Sequence, residues 1–92
     1  MFVDPSEQKR ADEIIGQTLR TVRKARKLTQ AQVAERLHTT QTFVSETESG
    51  KRSIRTAEAV LYAYGIDTTP QKLYCLIESA LIEDGLISVQ KR

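Results

Sequence analysis

Between Thr29 and Arg52 the chain reads TQAQVAERLHTTQTFVSETESGKR, and this stretch narrows the fold more than any other. Ala31, Val33, Ala34 and Leu37 recur at helical spacing, which predicts a short helix over residues 30–37 with one buried face. His38-Thr39-Thr40 breaks it. Thr40 suits an N-cap, because its hydroxyl can accept from the free amides that open the next helix. That helix is predicted over residues 41–49, with Gly50 free to take the left-handed conformation that closes a helix end. Val44, Thr47 and Glu48 fall on one side of it, and Gln41, Thr42, Ser45, Glu46 and Ser49 on the other. The second side has almost no apolar bulk, yet it is not the Lys/Glu mixture of an ordinary solvated helix. Short hydrogen-bonding side chains at a helix start are what a recognition helix presents to base edges in the major groove.

The stretch resembles the helix-turn-helix of the phage-repressor and Cro family of bacterial regulators. Thr29-Gln30, Ala34, Thr39-Thr40-Gln41, Val44-Ser45 and Glu48-Ser49-Gly50-Lys51 carry the resemblance, and with flanking helices it covers roughly residues 15–74. His38 departs from it, standing where the family usually has glycine. The resemblance implies an all-α, five-helix domain like that of the lambda repressor, binding double-stranded DNA. It implies that Gln30 bonds a phosphate and braces Gln41, the first residue of the recognition helix. A glutamine there can bond adenine N6 and N7 together, a pairing that discriminates by about 1–3 kcal/mol. Thr42 and Ser45 would face bases or adjacent phosphates, and Thr40 and Ser49 are expected DNA contacts beside them. Glu46 either accepts from cytosine N4, trading affinity for discrimination, or stands exposed at the groove edge. Phe43 is expected to pack on a neighbouring helix rather than against sugar or a thymine methyl.

The family pairing also joins Arg23 to Glu48. Glu48 is on the inward side of its helix, so it needs a partner, and losing one member of a buried pair costs about 3–5 kcal/mol. The loop Gly50-Lys51-Arg52-Ser53-Ile54-Arg55 is basic and glycine-led. In the family such a loop follows the DNA backbone, so Lys51, Arg52 and Arg55 are expected on phosphates.

Charge is distributed to suit this. Residues 1–55 hold 11 Lys/Arg against 7 Asp/Glu, so +4, and residues 56–92 hold 3 against 5, so −2, giving the net +2. Positive potential therefore falls on the half that carries the motif. Arg26 and Lys27 suit either the C-terminal end of the first helix, where the dipole favours cations, or a phosphate.

The rest of the chain is read as helices around that motif. Asp4-Pro5 can start one, with Asp as N-cap and Pro at the first position. Its pattern firms from Asp12 and runs to about Lys27, with Ile15, Leu19 and Val22 facing the core; residues 5–11 extend it or form an arm. A fourth helix is predicted over residues 55–64, with Ala57, Val60, Leu61 and Tyr64 as its core stripe and Gly65 as its stop. Thr69-Pro70 opens a fifth, to about Asp84 and Gly85, with Leu73, Leu76, Ile77, Ala80 and Leu81 as its stripe. That helix and the run Leu86-Ile87-Ser88-Val89 carry more apolar surface than one small domain covers. Residues 70–92 are therefore expected to form a two-fold dimer contact through Leu73, Leu76, Ile77, Leu81, Leu86, Ile87 and Val89, the tail adding a strand or more helix.

Ninety-two residues make one domain, expected to span 1–92. No run approaches the roughly 18 apolar residues of a membrane helix, and the N-terminus lacks a signal-peptide core. One cysteine and one histidine supply neither a disulfide nor a metal site, so no metal or cofactor is expected, and the cytoplasm is the expected location. No motif gathers His38, Ser45 and Glu46 on one cleft, so an enzyme is not expected. The competing class is a helix-turn-helix adaptor that binds protein, such as an antitoxin holding a toxin. The polar outward face of residues 41–49 and the Lys51-Arg52 loop speak against it.

Overall fold

The computed structural model describes residues 4–87. Five helices follow one another: α1 Pro5–Ala25, α2 Gln30–Arg36, α3 Gln41–Ser49, α4 Thr56–Gly65 and α5 Pro70–Asp84. The fold is all-α, and no strand occurs among the described residues.

Helix starts follow the side chains that can cap them. The Glu7 amide donates to Asp4 Oδ1 at 2.9 Å and the Asp4 amide donates back to Glu7 Oε1 at 3.2 Å, so α1 is capped reciprocally and begins at Pro5. Residues 5–11 are thus continuous helix, tied to the end of α5 by Arg10, which bonds Asp84 at 2.5 Å. Thr29 caps α2 reciprocally with Gln32 in the same manner, while Thr40 and Thr69 cap α3 and α5 by accepting the amides of Phe43 and Lys72.

Helix ends share one device. The amide two residues past the last fully helical turn reaches back to a carbonyl five residues earlier: Leu28 to Arg23, Thr39 to Ala34, Lys51 to Glu46, Thr68 to Ala63, and Leu86 to Leu81. A residue with positive φ makes each reversal. Gly50 and Gly85 do so at α3 and α5, as expected, but Lys27, His38 and Asp67 do so at α1, α2 and α4. Residue Gly65, expected to stop α4, instead lies inside it and against α2. A Cβ there would come within 2.8 Å of the Leu37 side chain.

The core is one cluster: Leu19 and Val22 of α1, Val33 and Ala34 of α2, Val44 of α3, Tyr62, Ala63 and Ile66 at α4, and Leu73 of α5. Ile15, Leu28, Leu37, Phe43, Ile54 and Ile77 close its edges. Three expected faces are corrected here. Helix α4 turns Ala59, Tyr62 and Ala63 inward, while Ala57 is exposed and Leu61 and Tyr64 are 64% and 61% exposed. Tyr62 is the largest fully buried side chain and its neighbours are alanines, so this face accepts the bulk the core has room for. On α2, Ala31 is exposed rather than buried. Leu73, expected on the dimer face, is fully buried within its own chain and is unavailable to a partner.

Candidate nucleic-acid interface

Helix α3 is seated on α1 at Gly16. A Cβ at that position would lie 2.5 Å from the carbonyl oxygen of Glu48, so only a glycine lets the two backbones come this close. Gly50 completes the seat, where its φ of 81° reverses the chain directly over the backbone of Glu13.

Inside this contact Arg23 and Glu48 meet. Arg23 Nε donates to Glu48 Oε2 at 2.5 Å, one terminal nitrogen donates to Oε1 at 3.0 Å, and the other to the Leu28 carbonyl at 2.7 Å. The pair is buried, and the hydrogen bond to Glu48 holds the arginine even more firmly protonated than usual. Its fork satisfies both carboxylate oxygens, which is the condition for carrying two charges out of water.

Glu48 links this pair to the surface. Gln30 Nε2 donates to Glu48 Oε1 at 3.0 Å, and Gln41 Nε2 lies 3.5 Å from Gln30 Oε1. The separation between the two glutamines is at the limit of a hydrogen bond. Gln41, at the exposed start of α3, is therefore connected through Gln30 and Glu48 to a guanidinium in the core.

The remaining expected contact residues divide by what they touch. Gln41, Thr42, Ser45, Glu46 and Ser49 are exposed along one side of α3. Thr40 accepts from the Phe43 amide at 3.1 Å, which leaves its hydroxyl proton free to donate. Ser49 turns its hydroxyl back to the Glu46 carbonyl at 3.1 Å. Lys51 and Arg55 are exposed. Arg52 differs from them. Both of its terminal nitrogens bond Glu58, at 2.9 and 2.8 Å, and its guanidinium lies 4.4 Å from the centre of the Phe43 ring. Arg52, expected on a phosphate, has its fork filled by a carboxylate of its own chain. Phe43 is half-buried against the core, so its role is packing with a cation above it.

Nothing in its sequence context singles out Glu58. Its carboxyl is held down at about 2, first by the Arg52 fork and then by the Arg55 amide, which donates at 2.9 Å. A glutamate in the first turn of a helix is ordinary, and nothing in the spacing to Arg52 marks the pair.

On α5, Leu76, Tyr74 and Ile82 are 47%, 41% and 37% exposed, while Ile77, Leu81, Leu86 and Ile87 are half-buried. Val89 lies outside the described residues, as does the rest of the tail beyond Ile87. Among the described residues no helix is long and apolar enough to cross a membrane, and no three His, Cys, Asp or Glu side chains gather as a metal site.

A family model for a helix-turn-helix domain matches residues 14–71, from the second half of α1 into the first turn of α5. No curated protein matched the sequence. Among solved structures the chain is similar to the clp gene regulator ClgR from C. glutamicum, with a TM-score of 0.70 over 87% of this chain and 96% of that one at 18% identity. At that identity the likeness is one of fold.

Proposed function

The chain belongs to the helix-turn-helix domain family, and from that premise we propose that it is a sequence-specific, double-stranded-DNA-binding transcription regulator of the phage-repressor and Cro type. The observation that carries this is the outward face of α3. It is polar and uncrowded, and its first side chain, Gln41, reaches through Gln30 to the buried Arg23–Glu48 pair. A glutamine held at one end loses less freedom when it meets a base, so this arrangement suits base reading. The fold shared with ClgR, a regulator of clp genes, agrees with a regulatory role.

In this reading α3 enters the major groove, with Gln41, Thr42, Ser45 and Glu46 toward base edges. Gln30, Thr40 and Ser49 lie toward the flanking phosphates, and Lys51 and Arg55 toward the backbone. Two copies associate through α5, by way of Leu76, Ile77, Leu81, Leu86 and Ile87, and place two such helices about one turn of DNA apart, near 34 Å. Bound in that manner the dimer represses by covering a promoter in the cytoplasm.

In-vitro selection from random duplexes at near-physiological salt, with the mass of the bound complex recorded, tests the reading. A two-fold symmetric site bound by two chains is the expected result. A single half-site retains the recognition helix and removes the dimer, and no enrichment overturns the function. Gln41→Ala is expected to relax preference at one position per half-site while the fold survives; an unchanged profile removes Gln41 from base reading.

A further inference from the structure

We propose that Glu58 is an internal stand-in for a DNA phosphate: it holds Arg52 off the backbone, so that Arg52 positions the loop after α3 while Lys51 and Arg55 make the phosphate contacts. This rests on the DNA-binding reading above.

Three cations occupy the loop, at positions 51, 52 and 55, and sequence gives no reason to separate them. Geometry does. Among the described residues Lys51 and Arg55 form no ion pair, whereas Arg52 offers its two terminal nitrogens to both oxygens of one carboxylate. A carboxylate and a phosphate present the same pair of anionic oxygens to an arginine fork, so Glu58 takes the edge formed by the two terminal nitrogens and neutralises the charge that a phosphate would otherwise attract. One of those nitrogens also donates to the Ser53 carbonyl at 3.2 Å, and the Phe43 ring covers a face of the guanidinium.

Glu58 is itself pinned. It accepts the Arg55 amide at 2.9 Å in the first turn of α4, where the helix end favours an anion. The other end of the loop is fastened too, since the amides of Lys51 and Arg52 both donate to the Glu46 carbonyl, at 3.0 and 3.3 Å. Arg52 thus ties α3, through Phe43 and Glu46, to α4, through Glu58. Its charge is spent inside the chain, and the loop presents two free cations to DNA rather than three. A regulator built this way gives up affinity for any duplex in exchange for a fixed loop, which favours the selected site over random sequence.

The test is the salt dependence of binding to the selected duplex and to a random one, with thermal unfolding of each variant recorded alongside. Each phosphate contact contributes about 0.9 to the slope of log affinity against log salt. K51Q and R55Q are each expected to lower the slope by about that amount. R52Q is expected to leave the slope unchanged while lowering the unfolding temperature and the selected-to-random ratio. E58Q is the decisive variant, because a merely structural role cannot produce its expected sign. Freed from its carboxylate, Arg52 reaches a phosphate, so the slope rises by about 0.9, the random duplex binds more tightly, and the selected-to-random ratio falls.

A drop of about 0.9 in R52Q, or an unchanged slope in E58Q, overturns the proposal even if R52Q proves too unstable to assay. Wild-type binding that ignores salt overturns the DNA-binding reading, and this one with it. Steep wild-type dependence with a flat response to E58Q overturns this one alone.

Discussion

At the seat of α3 a guanidinium and a carboxylate are buried, while on the outer side of α4 a leucine and a tyrosine stand in solvent. Arg23 and Glu48 are 7% and 6% exposed, against 64% and 61% for Leu61 and Tyr64. Where helices cross decides burial in these two regions, and side-chain polarity does not. Gly16 brings α1 onto the backbone of α3, and the side chains that point into that crossing, Arg23, Thr47 and Glu48, are enclosed. The two charges fit there because each satisfies the other and a third partner, Leu28 or Gln30, takes up what remains. Helix α4 is apolar at almost every position, and one side is enough for the core.

The largest effect should come from breaking the seat one charge at a time. Arg23→Ala leaves Glu48 buried without its cation and is expected to cost about 3–5 kcal/mol in urea unfolding. Replacing both, with Arg23→Met and Glu48→Leu together, should cost far less, since no lone charge is left in the core. That double variant also removes the acceptor of Gln30, so it is expected to fold while reading its DNA site less sharply. Equal instability in the single and double variants would mean that packing, not charge, holds the seat.

Next in size is Gly16→Ala. Its added methyl meets the carbonyls of Thr47 and Glu48, which are backbone and cannot swing away. Overpacking of this kind costs about 1–3 kcal/mol. A variant as stable as the parent would show that α3 can slide on α1, and the contrast between the two regions would then rest on the ion pair alone.

The core also contains a polar atom that is less well served than the buried charges. Tyr62 is fully buried, and among the described residues its hydroxyl has no hydrogen-bond partner. Burial, with the nearby Glu48 charge second, pushes its ionisation well above the usual tyrosine range. Tyr62→Phe is expected to raise stability by about 1 kcal/mol, because an unsatisfied buried group is removed with little change of shape. Destabilisation in the same unfolding measurement would indicate a partner for that hydroxyl.

These cases separate what the sequence made legible from what it did not. Helix starts could be read because Asp4, Thr29, Thr40 and Thr69 are side chains that cap, and capping is local. Ends at Gly50 and Gly85 could be read for the same reason. Lys27, His38 and Asp67 close helices in the same left-handed conformation without being glycine, held by the local backbone bonds of Leu28, Thr39 and Thr68, and only His38 was marked, by standing where the resembling family has glycine. In α4 the spacing of 57, 60, 61 and 64 is as helical as that of 59, 62, 63 and 66, so periodicity could not choose a face. The choice was made by contacts distant in sequence, such as Gly65 on Leu37. Arg52 looked like Lys51 for a similar reason, since the glutamate that separates them belongs to the next helix.

That glutamate gives a smaller prediction, in acid. Glu58 binds its proton more weakly in the fold, near pH 2 against 4.5 ordinarily, because Arg52 and the Arg55 amide favour the charged form. Its stabilisation is complete above about pH 4.5 and is lost as pH falls toward about 2. Both partners are partly exposed, so the amount is under about 1 kcal/mol. Glu58→Gln should make the fall of unfolding temperature across that window shallower, and an unchanged slope would place the acid sensitivity elsewhere.

The smallest expected effect lies on the outer side of α4. If Leu61 and Tyr64 stand in water, exchanging them for polar residues removes no burial. Leu61→Gln and Tyr64→Gln should then each change stability by less than about 0.5 kcal/mol, as surface substitutions do. Dilution makes the measurement discriminating. A wild-type unfolding temperature that rises with protein concentration, and loses that rise in these two variants, would mean that a second chain covers α4. Dimerisation would then run through the outer face of α4, and the apolar residues that α5 exposes would be bystanders. A concentration dependence that survives both substitutions but is lost in Leu76→Gln would assign the contact to α5 and leave the leucine and tyrosine of α4 exposed in the assembly as well.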